Sequence, residues 1–361
     1  MEDARIATVM DNLRELGLTQ TIVSDPWSIS YLTGYKNDPG ERFFALLLRE
    51  GCEPTLFLNR LFPDAAHTGV RVIGYSDTDD VIALVAGEVD AAAELGVDKE
   101  LAARWLVPMM ERGIAAGYRL GSPAVDGARA IKDERERELM RAASRMNDEG
   151  MKWLFSQVRE GVTEIEIAEG LLGEYRRLGA DDFSFPPIVS FGANAADPHH
   201  SPDATRLERG QVVLFDVGCL SRGYCADMTR TFFFGEPSKR DREVYECVRR
   251  ANEAAEAIVR PGVTFSEIDL TARRIIEDAG YGPYFTHRLG HQIGTQVHEP
   301  GDVSATHHEP VREGMIFSIE PGIYLEGEMG VRIEDLVLVT ADGCEVLNSY
   351  PKGITVIEPS R

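Results

Sequence analysis

The sequence predicts an α/β fold in two domains, the second built on an internal duplication. Three observations carry this. Short apolar runs suited to strands alternate with segments of helical spacing along the chain. At 361 residues and 43% hydrophobic content, the chain is globular and too long for one ordinary core. Two stretches also share one plan: a long helix, a Gly-Val-Thr turn, a second helix, then a strand hairpin bearing two acidic residues.

In chain order, residues 4–16 have the spacing of an amphipathic helix, and 21–24, 43–48 and 55–58 read as strands. Helical spacing returns near 79–95 and 101–116. The stretch 117–128 is rich in Gly, Pro and small residues and marks the expected boundary. This divides the chain into an N-terminal domain (1–122), a linker (123–132) and a C-terminal domain (133–361). In the latter, 133–159 and 163–178 read as helices, with Thr163 and Glu166 placed as a capping box. Residues 240–259 and 264–279 repeat the design, with Thr264 and Glu267 at the same spacing; REGVTEIEIAE and RPGVTFSEIDL are visibly alike.

Composition excludes several classes. A formal charge of −22 disfavours nucleic acid and anionic membranes, and reads simply as solubility. No apolar run approaches the roughly twenty residues needed to span a bilayer. MEDARIATVMDNLRELG carries acids and helical spacing, unlike a signal peptide. The cysteines Cys52, Cys219, Cys225, Cys247 and Cys344 are odd in number and scattered, as reduced thiols of a cytoplasmic protein would be.

The chemistry concentrates in the hairpins. Asp216, in QVVLFDVG, and Asp227, in GYCADMTRTFFF, lie equidistant from a turn over residues 220–223, so an antiparallel ladder is expected to oppose them. Glu320, in MIFSIEPGIYL, and Glu334, in MGVRIEDLVLV, are equidistant from Gly327. Asp216 and Glu320 each end an apolar run that reads as a buried strand. Opposed residues have Cβ atoms roughly 5 Å apart, where like charges destabilise a sheet. Four acids so placed are costly to ionise without cations among them. Arg230 and Arg332 are the only basic residues in the paired strands, so divalent ions are the better answer. A nitrogen ligand is available between the hairpins, in HRLGHQIGTQVHE, from His287, His291 or His298. Carboxylates plus imidazole, with no thiolate, suit Mn²⁺, with Co²⁺, Zn²⁺ or Fe²⁺ as alternatives.

The ordered set Asp216, Asp227, His291, Glu320, Glu334 resembles the five-ligand signature of the pita-bread metallopeptidases. GYCADMTRT, HRLGH, SIEPGIY and GVRIED look like the bacterial Xaa-Pro dipeptidases in particular, and GANAADPHHSP resembles the segment carrying a catalytic histidine, here His199. WSISYLTGYKNDPGERFFALLL resembles the creatinase-type N-terminal domain of the same enzymes, so the likeness covers nearly the whole chain. The resemblance implies a pita-bread catalytic domain with pseudo-twofold symmetry and two metal ions. Asp227 and Glu334 would bridge, Asp216 would serve one ion, and His291 and Glu320 the other. Glu320 would relay the proton of the attacking water, and His199 and His298 would donate to the oxyanion. His287 and Arg288 are expected at the substrate, and Arg332 is expected to share two tasks, binding the substrate's carboxylate and neutralising the ligand cluster, with Phe183, Phe185 and Ile188 as candidate linings of a proline pocket. A loop resembling Asp38, Glu41 and Arg42, with Gly40 where similar enzymes often have histidine, would close the cleft from the partner of a homodimer. His200 receives no role, and His307 and His308 are expected at the surface.

The implied activity is hydrolysis of Xaa–Pro dipeptides, a bond whose nitrogen has no N–H and whose proline ring fixes φ. Aminopeptidase P, which acts on longer peptides, shares all five ligands and is the alternative. A non-catalytic peptide-binding protein on this fold is the reading from another class.

Overall fold

In a computed structural model, which describes residues 3–65 and 68–358, the chain divides into two compact units, Met1–Arg129 and Ala130–Arg361. Among the described residues, the first unit is a six-stranded sheet, ordered Arg71–Tyr75, Thr55–Asn59, Ala45–Arg49, Gln20–Val23, Glu94–Val97, Gly117–Leu120. Its central strands are antiparallel and its flanks parallel. The runs ALLLR and TLFLN are apolar on both sides because helices cover both faces. Leu46, Leu48, Leu56 and Leu58 pack on Val9, Leu13 and Ile29, whereas Ala45, Leu47 and Phe57 pack on Val81, Val85 and Met109.

One expected element fails in this unit. The helix expected over 79–95 ends at Ala86, before Gly87, and its last residues join the strand Glu94–Val97. A Cβ at Gly96 would lie 2.8 Å from Thr21 Oγ1, so glycine there permits the close parallel approach. The stretch 117–128 contributes the strand Gly117–Leu120 and most of the helix Ser122–Ala130, which fills most of the expected linker. The helix Pro26–Thr33, capped by Asp25, was not anticipated at all.

In the second unit the two helix pairs form as expected, Glu134–Gln157 with Glu164–Leu178 and Lys239–Ile258 with Phe265–Asp278, and both Gly-Val-Thr turns close capping boxes. Each pair covers one face of a sheet. Val213, Phe215 and Val217 of the strand Val212–Val217 face the first pair, so Asp216, of opposite parity, points away from it. Phe317 and Ile319 of the strand Ile316–Ile319, with Val337 and Val339 of Asp335–Val339, face the second pair. Glu320 and Glu334 have the opposite parity and share the face of Ile316, Leu336 and Leu338. In both halves, therefore, the acids project from the sheet face turned away from that half's own helices. No described helix is long and apolar enough to cross a membrane.

The hairpin registers differ from each other in how they meet expectation. The ladder runs from Ile316↔Leu338 to Ile319↔Asp335 and continues from Gly322↔Arg332 to Leu325↔Met329, which sets Glu320 opposite Glu334 across the gap. In the first hairpin Asp216 pairs with Thr229, not with Asp227. The tight turn lies at Arg222 and Gly223, between Ser221 and Tyr224, because these two residues adopt the consecutive positive φ values (50° and 83°) that a two-residue hairpin turn requires. Asp227 thus sits two positions nearer the turn than the partner of Asp216, in the break between the two ladders.

Gly330, in the strand Met329–Arg332, lies so close to the 3₁₀ turn Gly192–Ala196 that a Cβ would stand 1.7 Å from Ala195 O, a backbone atom with no rotamer to escape through. Gly330→Ala should cost about 1–3 kcal/mol by overpacking. Urea unfolding is the measurement, and an unchanged midpoint would contradict the contact.

Candidate metal centre

The acids meet with oxygens left over. Asp216 Oδ2 accepts from Arg332 Nη2 at 2.6 Å, while its Oδ1 is buried without a partner. Asp227 Oδ1 is likewise buried and unpartnered, and its Oδ2 lies 3.6 Å from His291 Nε2. Glu334 Oε2 accepts from Thr229 Oγ1 at 2.7 Å. Glu320 Oε1 accepts from Ser318 Oγ at 3.2 Å and lies 3.6 Å from His291 Nε2. His291 Nδ1 stands 3.1 Å from Gln292 O, which can only accept, so Nδ1 carries the hydrogen and the Nε2 lone pair faces the two acids. Ligand atoms of Asp227, His291 and Glu334 all lie within 4.8 Å of one another.

The electrostatics follow. Burial, then the neighbouring carboxylates, push Asp227 and Glu334 well above the usual carboxylate range. Burial pushes Glu320 up to about 7, and pushes His291 down to about 3, so its imidazole is neutral. Buried unpartnered carboxylate oxygens and an imidazole lone pair converging on one space are a poor arrangement for protein alone and a good one for divalent cations with oxygen and nitrogen ligands. Cys219 and Cys225, which flank the turn, do not join them: their sulfurs approach Ala143 O and Thr295 O, and burial raises both thiols.

Around these groups runs a chain that sequence reading missed. Arg332 is buried, and besides Asp216 it donates from Nε to Thr229 Oγ1 (3.1 Å) and from Nη1 to Tyr324 OH (2.9 Å). His287 Nδ1 donates to Arg288 O (2.7 Å), and burial, then Arg332, lowers its pKa to about 4. The ring is therefore neutral, and Nε2 accepts from Tyr324 OH at 2.8 Å. The polar atoms of both residues are committed within the protein: His287 was expected at the substrate, while Arg332 takes the neutralising part of its expected shared role, on Asp216. Arg288 differs: it is exposed and has no hydrogen-bond partner among the described residues.

The centre forms the floor of a cleft of about 560 Å³. Phe185, Pro186, Pro187 and Ile188 make one apolar wall, and His199, His298 and Arg288 also line the space. His199 and His298 are exposed, and the His298 ring stands edge-on to His291 at 4.2 Å. Phe183 is not in the cleft; it packs edge-on against Tyr175. His200 lines the cleft and bonds to Glu164. His308 is exposed, but His307 is half-buried and stacks on Phe265 at 4.5 Å. Asp38, Glu41 and Arg42 lie in a loop of the first unit, where Arg42 makes a two-pronged contact with Asp77 and Asp38 accepts from Gly40 N.

Residues 138–341 match the model of Metallopeptidase family M24, and residues 5–116 that of the Creatinase/Prolidase N-terminal domain. An uncharacterised peptidase of Staphylococcus aureus (strain USA300) is 36% identical over 96% of this chain and 99% of its own. Among solved structures, dipeptidase PepE from Mycobacterium ulcerans is 33% identical, with a TM-score of 0.94 over 99% of this chain and 98% of that one. A prolidase from Thermococcus sibiricus is 32% identical, with a TM-score of 0.93 over 99% of each chain. With the buried acid and imidazole cluster in place, these likenesses identify the chain as a member of metallopeptidase family M24, a metal-dependent peptidase carrying a creatinase/prolidase N-terminal domain.

Proposed function

We propose that the protein is an Xaa-Pro dipeptidase (prolidase) using two divalent ions, Mn²⁺ first, with Co²⁺, Zn²⁺ or Fe²⁺ as alternatives. The carrying observation is the combination at one site: unsatisfied buried acids as floor, a proline-and-aromatic wall, and a single unpaired guanidinium, Arg288, in the lining. The solved relatives called dipeptidase and prolidase support the same reading.

Asp216, Asp227, His291, Glu320 and Glu334 would hold the ions. When bound, the ions supply Lewis acidity toward a water and the scissile carbonyl. Glu320 would take the proton of the attacking water and pass it to the departing proline nitrogen. His199 and His298 would donate to the oxyanion that develops on the carbonyl. The wall of Phe185, Pro186, Pro187 and Ile188 would receive the proline ring, and Arg288 the dipeptide's carboxylate. Arg332 neutralises Asp216 instead, and Tyr324 holds His287 beside it. In a homodimer, the partner's copy of the Asp38, Glu41 and Arg42 loop would close the cleft and limit the enzyme to dipeptides. Without that closure the same residues would serve aminopeptidase P on longer peptides. Five unpaired cysteines suit a cytoplasmic setting.

Mn²⁺-loaded protein should release proline from Ala-Pro and leave Ala-Pro-Ala uncut, with activity lost in Glu320→Gln; efficient removal of alanine from the tripeptide would make it an aminopeptidase P. Arg288→Ala should raise KM for Ala-Pro by roughly tenfold to a hundredfold, the worth of a charge-assisted hydrogen bond, with kcat nearly unchanged. Equal loss in kcat would place Arg288 elsewhere in the mechanism.

Metal should also change the response to pH. Without ions, Glu320 binds its proton more tightly folded (about 7) than at the ordinary 4.5, so its contribution to stability is present below about 4.5 and lost as pH rises through about 7. Asp227 and Glu334 act in the same direction. Bound cations offset that loss, so the rise in Tm on adding Mn²⁺ should be larger near pH 8 than near pH 5.5. A rise of equal size at both would refute it.

A further inference from the structure

The first residue of the helix Glu164–Leu178 is a carboxylate with no exposed surface, and it belongs neither to the metal centre nor to the cleft lining. Its oxygens collect donors from both sides of His199. Oε1 accepts from Phe191 N (2.7 Å) and Asn194 Nδ2 (3.0 Å), and Oε2 accepts from Asp203 N (3.1 Å) and His200 Nε2 (2.7 Å). Glu164, His200 and Asp203 have the grouping of a metal site, but the Glu164 oxygens are already occupied by these donors. Between the donors run residues 198–202, all five of which line the cleft.

The duplication supplies a control for what this position needs structurally. In each half a threonine caps the helix and bridges to a passing segment, Thr163 to Arg206 and Thr264 to Pro310. The next two backbone N–H groups donate to Thr205 O and Asp203 O in the first half, and to Glu309 O and His307 O in the second. The residue after the cap is Glu164 in one half and Phe265 in the other. Phe265 stacks on His307, with ring centroids 4.5 Å apart and planes 21° apart, and neither residue lines the cleft. The fold therefore closes this junction with an aromatic stack where nothing functional borders it. Of the two junctions, only the one beside the cleft-lining segment 198–202 buries a carboxylate, a costly choice that its donors must offset.

We propose that Glu164 is a positioning residue of the catalytic site, acting through His200. A carboxylate oxygen only accepts, so the contact fixes the hydrogen of His200 on Nε2. His200 is thereby tied to the helix, and the segment carrying His199 is held at both ends against the cleft. The kinetic consequence rests on the dipeptidase reading.

The test uses the Mn²⁺-loaded full chain with Glu164→Gln, His200→Phe and the double variant on Ala-Pro. Gln keeps the shape and can still accept from Phe191 and Asn194, but its amide nitrogen cannot accept from His200 or from Asp203 N. Each single variant should retain Mn²⁺ and cooperative unfolding, and lose about a hundredfold in kcat with little change in KM, as a misplaced reacting group does. The double variant should match either single one to within about twofold, because both break the Glu164–His200 contact. Losses that multiply, or a Glu164→Gln kcat within about twofold of wild type at full metal, would overturn the proposal. ¹⁵N-histidine NMR reads the positioning without turnover. His200, assigned by its absence in His200→Phe, should hold the Nε2–H form in the native chain and lose that preference in Glu164→Gln. An inactive native chain would defeat the dipeptidase reading alone, while an unchanged His200 spectrum in Glu164→Gln would defeat this one.

Discussion

Carboxylates buried within a few ångströms of one another cannot all ionise unless positive charge stands among them, and the catalytic unit is arranged around that constraint. The adjacent acids Glu334 and Asp335 make the point. Asp335 points to the helix side, where Arg230 reaches it at 2.7 Å and Lys352 at 2.9 Å. Its charge is closed by protein. Glu334 points to the other face, toward Asp227 and His291, with only a threonine hydroxyl as partner. Of these two adjacent acids, one thus meets cations of the protein itself and its neighbour a hydroxyl.

The arginines divide along the same line. Arg332 is buried deep enough that its guanidinium would be costly without partners, and it has three: Asp216, Thr229 and Tyr324. Those contacts fix one Asp216 oxygen and leave the other bare. They also draw Tyr324 into place against His287, so a cleft residue is locked by a metal-site residue through one phenol. A group so committed is unsuited to gripping a substrate that must come and go. Arg288, exposed and without a hydrogen-bond partner among the described residues, keeps its full hydrogen-bonding capacity.

Much of this was legible from sequence because it depends on period and spacing. Parity along QVVLFDVG and MIFSIEPG decides which residues face helices and which face the site, and the Gly-Val-Thr repeats state their capping boxes outright. Symmetry about a turn located Glu320 opposite Glu334, where Gly327 supplies the positive φ at the midpoint. It failed for Asp216 and Asp227, because the true turn is set by which two residues accept positive φ, and Arg222 does so without advertising it. The strand Glu94–Val97 was hidden for a different reason: helix-forming residues precede it, and its burial between two parallel neighbours is a tertiary fact. Side-chain commitments were the least legible. That His287 is spoken for by Tyr324, or Glu164 by His200, depends on contacts between residues more than thirty positions apart.

The duplication explains why the two halves need not stay alike. Once folding is secured in each by the same capped helix pair and hairpin, positions facing the shared cleft can diverge while their counterparts keep a structural minimum. The first half contributes Asp216 and Asp227, and the second His291, Glu320 and Glu334, so neither half holds the cluster alone. The junction after the cap diverges in the same way: Phe265 rests on His307 by dispersion and stacking, whereas Glu164 gathers charge-assisted hydrogen bonds from a segment that borders the reaction. A buried charge retained at only one of two equivalent junctions, and only at the one beside the cleft, is better accounted for by what it positions than by what it stabilises.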